Sequence, residues 1–438
     1  MLGLNENRAG ALQDIDKDAL EKRMEKFFDK TLSWEEFSLS QKGLTKTAAG
    51  FDPKKVRDKV QKAEIFNAAN IVRYMRRPFD VVWAYISDVS PLWNRSRPEL
   101  RSQFKDHNQF ILTRPLCVAS PEGIPMVITS LLGEQDSIRG HAYYFPIFFD
   151  PESLRRVKKA SLHPELYDKD IAESTANLSP PARTYLTTLG LPDPDTDTET
   201  AGLIWLHALA VGFAPTYLAE NADGIRQDWP RVPLPDTAEA LKNSARLGRQ
   251  VAALLDTENP VPGVTAGTPR PEMKILAVIS REGGGPLKPE AGDLALTVGW
   301  GHGGKDGITM PGKGKAMKRD YTPEELAAIR EGAKALGLTP EQALEHLGES
   351  TYDIFLNDVA YWRNVPEKVW TYYIGGYQVI KKWLSYREKP LLGRPLTPDE
   401  VEEVTHMARR LAAIVLIEPA LNVNYQNVKE SCYAWPQS

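Results

Sequence analysis

The chain has 438 residues, 42% of them hydrophobic and 26% charged, with a formal net charge of −4. That length predicts two to four folding units with cores large enough to need no metal or disulfide staples. The slightly acidic balance excludes a protein that is basic throughout, so any hold on nucleic acid has to rest on a local basic surface.

The opening, "MLGLNENRAGALQDIDKDALEKR", has no signal-peptide pattern, and its polar start ahead of a helix would suit a fragment cut from a longer chain. Helical spacing of Leu20, Met24, Phe27 and Phe28 predicts a first helix over 16–29, with Asp16 as its N-cap. A second amphipathic stretch covers 53–63, with Pro53 in its first turn. Residues 1–65 read as one helical segment. From Ile71 the composition turns β-branched and aromatic. "IVRYMRRPFDVVWAYIS", "QFILTRPLCVAS", "PMVITSLLG" and "GHAYYFPIFF" predict short strands separated by turns, placed within 66–177. The Pro-, Asp- and Thr-rich stretch 178–201 predicts a linker or exposed loop. Helices follow within 202–258, one broken near Pro215 and one over 237–255. "MKILAVIS" reads as a short strand, ahead of a glycine-dense basic loop within 259–320. The part from 321 to 438 predicts helices, because Thr322-Pro-Glu-Glu, Thr339-Pro-Glu-Gln and Thr397-Pro-Asp-Glu are capping boxes with proline at the first helical position. After Thr397 the residues Val401, Val404, Leu411 and Val415 form an apolar stripe. The fold class expected is α+β, with short mixed or antiparallel strands in the N-terminal and middle parts and a helical C-terminal third.

Catalytic motifs are few. "GITMPGKGK" (307–315) has the spacing Gly307-x4-Gly312-Lys313 of a phosphate loop, but Gly314 stands where Ser or Thr would hold magnesium. The histidines show no metal-ligand spacing, and His207 reads as a satisfied core residue. Cys117 and Cys432 form no CxxC, which fits a reducing cytoplasm. Glu272-x-Lys274 precedes its strand and lacks an acidic partner, so it reads as chance. No apolar run approaches the ~18 residues of a membrane span. The glycine turn that holds S-adenosylmethionine and the Asn/Asp-Pro-Pro-Tyr/Phe loop that grips a flipped base are both missing from the sequence. "LSPPART" lacks both the leading acid or amide and the aromatic.

Two basic-aromatic stretches remain. In 73–104, arginines that include Arg76, Arg77, Arg95 and Arg97 alternate with Tyr74, Phe79, Trp83, Tyr85 and Trp93. Arginine forks onto guanine or phosphate, but it also pairs with buried carboxylates, and composition alone leaves both open. In "VWTYYIGGYQVIKKWLSYRE" (369–388), helical spacing groups Gln378, Lys381, Lys382 and Ser385 on one face. Tyr377, Val379, Ile380, Trp383 and Leu384 fall on the other. Gly375 and Gly376 are then expected to open the helix with free N–H groups, the geometry that receives phosphate. Whether that face is merely solvated or meets DNA stays open. The loop cations Lys305, Lys313, Lys315, Lys318 and Arg319 form a third concentration of charge.

The run "STYDIFLNDVAYWRNVPEKVWTYYIGGYQVIKKWLSYREKPLLGRPLT" (350–397) resembles the C-terminal specificity domain of Type ISP restriction-modification enzymes. "RRPFDVVWAYISDVSPLWNRSRPEL" is similar to another of its segments, with Ser96 where proline is frequent. "LHALAVGFAPTYLAENADGIRQDWPRVPLP", "GHGGKDGITMPGKGKAMKRDYTPEE" and "GLNENRAGALQDIDKDALEKRM" are similar to further segments, in order. The resemblance implies a target-recognition module for double-stranded DNA that is non-catalytic on its own. It also implies a methyltransferase part and translocase and nuclease parts in cis or in trans. S-adenosylmethionine would then belong to the adenine-N6 methyltransferase part and no cofactor to this chain, which would serve a cytoplasmic phage-defence system. The chain would be a truncated piece, a split subunit or a remnant. The contact residues expected are Arg76, Arg77, Arg95, Arg97, Lys313, Lys315, Lys318, Arg319, Gln378, Lys381 and Lys382. A methyltransferase with unrecognised motifs and a scaffold that does not touch DNA are the rival readings.

Overall fold

Each proline-started helix expected from a capping box is present in a computed structural model of the chain. The model describes residues 1–8, 10–40, 43–45, 47, 50–105, 108–150, 152, 175–304 and 308–436. The architecture is α+β, and the chain divides into two compact units. One comprises Met1–Leu116 with Met126–Trp205; the other comprises Cys117–Pro125 with Leu206–Ser438.

In the first unit, β1 (Gln13–Asp14) leads into α1 (Lys17–Phe28). The Asp16 carboxylate accepts the N–H groups of Asp18 and Ala19, satisfying donors the helix itself leaves open. Leu20, Met24, Phe27 and Phe28 are buried as their spacing predicts, each apolar side chain worth ~1.5–3 kcal/mol. After α2 (Trp34–Ser40), α3 (Pro53–Ala63) packs back on α1. The buried Arg57 of α3 donates to the carbonyls of Phe27, Asp29 and Leu32, so it satisfies acceptors at the C-terminal end of α1. β2 (Ile71–Arg77) and β3 (Asp80–Tyr85) form a hairpin whose turn holds Phe79 at φ 63°. The later strands are β4 (Phe110–Thr113), β5 (Val127–Thr129), β6 (Leu132–Gly133) and β7 (Tyr143–Pro146). They complete one sheet of order β1-β3-β2-β6 and another of order β5-β4-β7.

Where composition predicts a linker at 178–201, the structure instead has α4 (Pro180–Thr188). Ser179 caps this helix through the Ala182 N–H, and Tyr185 and Leu186 are buried. The two prolines do not break it because they occupy its first turn, where no intrahelical N–H is needed. α5 (Thr198–Gly212) then carries the chain into the second unit.

That unit contains α6 (Pro215–Glu220), α7 (Ala222–Gln227) and α8 (Ala238–Leu255). Next come β8 (Val278–Arg281), β9 (Gly301–Gly303), β10 (Thr309–Pro311) and β11 (Ala316–Arg319). The helices α9 (Pro323–Ala335) and α10 (Pro340–Leu347) follow, then β12 (Thr351–Phe355) and β13 (Ala360–Pro366). A small hairpin of β14 (Tyr373–Ile374) and β15 (Tyr377–Gln378) precedes α11 (Val379–Ser385) and α12 (Pro398–Glu430). Two strands of a four-stranded antiparallel sheet of order β11-β12-β13-β8, namely β12 and β13, lie within the region expected to be helical. Val401, Val404, Leu411 and Val415 of α12 are buried. Arg410 of the same helix donates to the carbonyls of Ala253, Leu254 and Asn259, closing the C-terminal end of α8. No helix among the described residues is long and apolar enough to cross a membrane.

Candidate nucleic-acid interface

The cations singled out in the sequence divide into those held by carboxylates and those left to solvent. In the first unit, Arg76 forks onto Asp80 across the β2–β3 turn, Nε to Oδ2 at 2.7 Å and Nη2 to Oδ1 at 3.2 Å. Asp80 is 1% exposed, so this pair is an internal brace of the hairpin. Arg77 reaches Glu134 beyond β6 at 2.8 Å. Arg97 takes a left-handed conformation, φ 51°, and donates to Gly3 O and Gln135 Oε1, both at 3.4 Å. Burial, and then the neighbouring Arg95, lowers its pKa. Arg95 differs: its backbone pairs with Asn5, but its side chain is exposed and donates only to the Asn94 carbonyl at 3.2 Å. Among the described residues it has no acidic partner. Arg73 and Trp83 belong to the basic-aromatic stretch noted in the sequence, and Lys17 joins them from α1. Arg73 and Lys17 both lie over the ring of Trp83, at 5.0 and 5.1 Å.

The second unit follows the same division. Arg319 is held by Glu325 at 2.8 and 2.9 Å and by Asp353 at 2.8 and 3.1 Å, and the Glu325 hydrogen bonds raise its pKa. Lys318 donates to Glu367 at 2.6 Å, which raises its pKa, and Lys315 donates to Asp358 at 3.4 Å. Lys382 lies between the rings of Tyr377 and Tyr386, at 5.6 and 4.4 Å. Lys313 is exposed and Lys381 half-exposed, and neither has a carboxylate partner among the described residues. Lys305 lies outside the described residues.

The glycine pair of the 369–388 stretch does not open a helix. Gly375 and Gly376, at φ 54° and 80°, make the tight turn between β14 and β15, which needs positive φ at both positions. Their N–H groups donate to the carbonyls of Ile124 and Glu122, each at 2.7 Å, so they are not available to phosphate. Helix α11 starts only at Val379. Gln378 precedes it and donates to the Trp370 carbonyl at 2.7 Å. Ser385, assigned to the polar face by spacing, is buried and bonds to the Lys382 carbonyl. Val379, Ile380, Trp383 and Leu384 are buried as expected, and of the face Gln378, Lys381 and Lys382 are half-exposed while Ser385 is not.

The glycine loop is likewise an internal fitting. Gly312 N–H donates to Trp300 O at 2.6 Å and Gly314 N–H to Gly299 O at 3.0 Å. A side chain at Gly314 would collide with the Trp300 ring. The N–H groups of Gly299, Trp300 and Gly301 already converge on the Glu388 carboxylate. Burial raises the pKa of that acid and the three donors hold it back. The first glycine of the phosphate-loop spacing, Gly307, lies outside the described residues.

Other tested motifs are structural. His207 is buried between Ser244 Oγ at 2.7 Å and Pro233 O at 2.8 Å, and burial lowers its pKa to about 4. Glu272 is 1% exposed and accepts from Arg270 at 2.6 Å. Residues 178–184 hold the start of α4. Among the described residues no group of His, Cys, Asp and Glu is arranged to hold a metal. Among the described residues no strand runs through a glycine turn directly into an α-helix.

Residues 1–410 match the model of a family described as the Type ISP C-terminal specificity domain. Three solved structures share the fold. A nuclease-deletion mutant of the Type ISP restriction-modification enzyme LlaGI in complex with a DNA substrate mimic is 13% identical, with a TM-score of 0.50 over 97% of this chain and 32% of that one. The DrdV–DNA complex is 17% identical, with a TM-score of 0.54 over 98% of this chain and 35% of that one. The ATP-dependent Type ISP enzyme LlaBIII bound to DNA is 11% identical, with a TM-score of 0.53 over 97% and 23%. The chain thus spans about a third or less of the length of these proteins. No curated protein matches it.

Proposed function

Because the chain belongs to the Type ISP C-terminal specificity domain family, we propose that it is the target-recognition module of a restriction-modification system and binds double-stranded DNA without itself doing chemistry. The family match over residues 1–410 carries the reading. Solvent-facing cations support it: the exposed Arg95 in one unit and the exposed Lys313 and half-exposed Lys381 in the other stand in an acidic chain without carboxylate partners among the described residues. Such cations fix register on phosphates, while side chains at base edges read sequence. In the intact assembly this placement presents one adenine to a methyltransferase part, which carries S-adenosylmethionine, with translocase and nuclease parts beside it. The double-stranded DNA and these parts are the partners proposed, in the cytoplasm where a phage-defence system acts.

The test is anisotropy of the 438-residue chain on a randomised duplex library between 50 and 200 mM salt. Affinity should fall steeply with salt, and Lys313→Glu with Lys381→Glu should flatten the slope by ~0.9 for each phosphate contact removed. No duplex binding at the lowest salt sinks the reading. Unchanged affinity in the folded double variant would favour a scaffold. Calorimetry with S-adenosylmethionine should give no heat of binding.

A further inference from the structure

The β9–β10 hairpin has two unlike faces. Its inner face carries glycines because backbone lies against it: a Cβ on Gly301 would stand 1.8 Å from the Ser385 carbonyl oxygen, and one on Gly303 would be 3.9 Å from Leu391. The hairpin is therefore seated on α11 and on the turn at Lys389–Leu392, with no room for a side chain at Gly301. On the outer face Met310 pairs across from His302, and Ile308 follows the same two-residue alternation. All three are exposed, Ile308 by 61% and Met310 by 46%, although an aliphatic and a thioether side chain gain by leaving water. The Gly304 N–H donates to the Ile308 carbonyl at 2.7 Å, which holds this face in register. Lys313 continues from β10, and Lys381 belongs to the helix the hairpin sits on; neither is neutralised by a described carboxylate.

A fixed apolar pair bordered by unpaired lysines matches a groove of duplex DNA better than a protein surface. Lysines meet phosphate on the walls, and apolar side chains enter between stacked bases, where hydrogen bonds are not needed. We propose that Ile308 and Met310 form a wedge that inserts at a base step of the bound duplex, unstacks it and bends the DNA. This rests on the reading of the chain as a duplex-binding module and adds to it where the DNA is deformed. Flexible pyrimidine–purine steps, which yield most readily, would be favoured there without any hydrogen bond to their edges.

The experiment starts from a duplex selected on the wild-type chain from a random library. End-placed dyes report bending by energy transfer, and 2-aminopurine at successive adenines reports unstacking. The wild type should shorten the end-to-end distance and brighten 2-aminopurine at one step. The Ile308→Ser, Met310→Ser variant should lose both signals and bind about tenfold more weakly, ~1.4 kcal/mol, with an unchanged salt slope because the lysines remain. Both sites are exposed, so its melting temperature should match that of the wild type. A variant that bends and binds like the wild type overturns the wedge and leaves the module intact. A wild type that captures no duplex overturns the underlying reading as well. Loss of self-association with DNA binding unchanged would make the patch a protein contact and also overturn the wedge.

Discussion

Arg76 and Arg77 of the β2–β3 hairpin and Lys313 and Lys381 beside the β9–β10 hairpin look alike as strings, and the fold uses them in opposite ways. Arg76 and Arg77 belong to a hairpin that places Asp80 and Glu134 beside them, so their charge is consumed inside the unit. Lys313 is exposed and Lys381 half-exposed, and neither has a carboxylate partner among the described residues. Clustering of cations in sequence therefore says little about a binding surface. What decides is whether strand pairing brings a carboxylate within reach. A planar, forked guanidinium also suits an internal brace better than an ammonium does.

The largest test of that contrast is Arg76→Ala. It removes both forked hydrogen bonds from the Asp80 carboxylate, which is 1% exposed, and should lower stability by ~3–5 kcal/mol in urea at pH 7. Adding Asp80→Asn should recover part of the loss, and a wild-type urea midpoint for Arg76→Ala would end the comparison. On the other hairpin the backbone matters more than the charge. Gly301→Ala places a methyl group 1.8 Å from the Ser385 oxygen, so about 1–3 kcal/mol should be lost and the hairpin should become sensitive to protease. An alanine tolerated without either effect would show that the hairpin is not seated on α11.

Glu418 sharpens the contrast from a third side, since the second unit also buries an acid, in neutral form. Burial raises its pKa to about 8, opposed by Lys368, and His346 Nδ1 stands 3.9 Å away. Burial lowers the His346 pKa, so that imidazole supplies little charge at neutral pH. The folded pKa lies above the ordinary glutamate value of 4.5, so the folded state holds the extra proton between the two. Stability should decline as pH rises through that window. Glu418→Gln should abolish the decline, leaving thermal midpoints close at pH 5 and the variant higher at pH 8.5; parallel pH curves would refute the neutral acid. The smallest effect belongs to Lys313→Ala and Lys381→Ala. Their stability should stay within ~0.5 kcal/mol of wild type, so a larger loss would mean the lysines are braces too.

Local chemistry was legible in the sequence. Thr322, Thr339 and Thr397 with their prolines located three helices because a capping box is complete within four residues. The stripe from Val401 to Val415 predicted a buried helix face for the same reason. Long-range pairing was not legible. Residues 351–366 form two central strands, but their order depends on β8 and β11, both distant in sequence. Gly375 and Gly376 suited a helix start as well as a tight turn. The carbonyls that settle the choice lie in residues 122–124, which no local pattern connects to them. For the candidate surface, the Arg76–Asp80 pair had a signal, an acid four residues on across a two-residue turn. The Ile308-x-Met310 alternation in a glycine-rich run was the signal overlooked.

That pairing of 122–124 with the β14–β15 turn has a consequence for how the protein is made. Ile124 leaves the ribosome roughly 250 residues ahead of Gly375, an interval of ~10–50 s at ordinary rates of synthesis. Throughout it, the carbonyls of Glu122 and Ile124 wait for the two glycine N–H groups. The second unit therefore completes itself only after Gly376 has been made. A gene cut anywhere between these two points would leave each half missing a piece that only the other encodes.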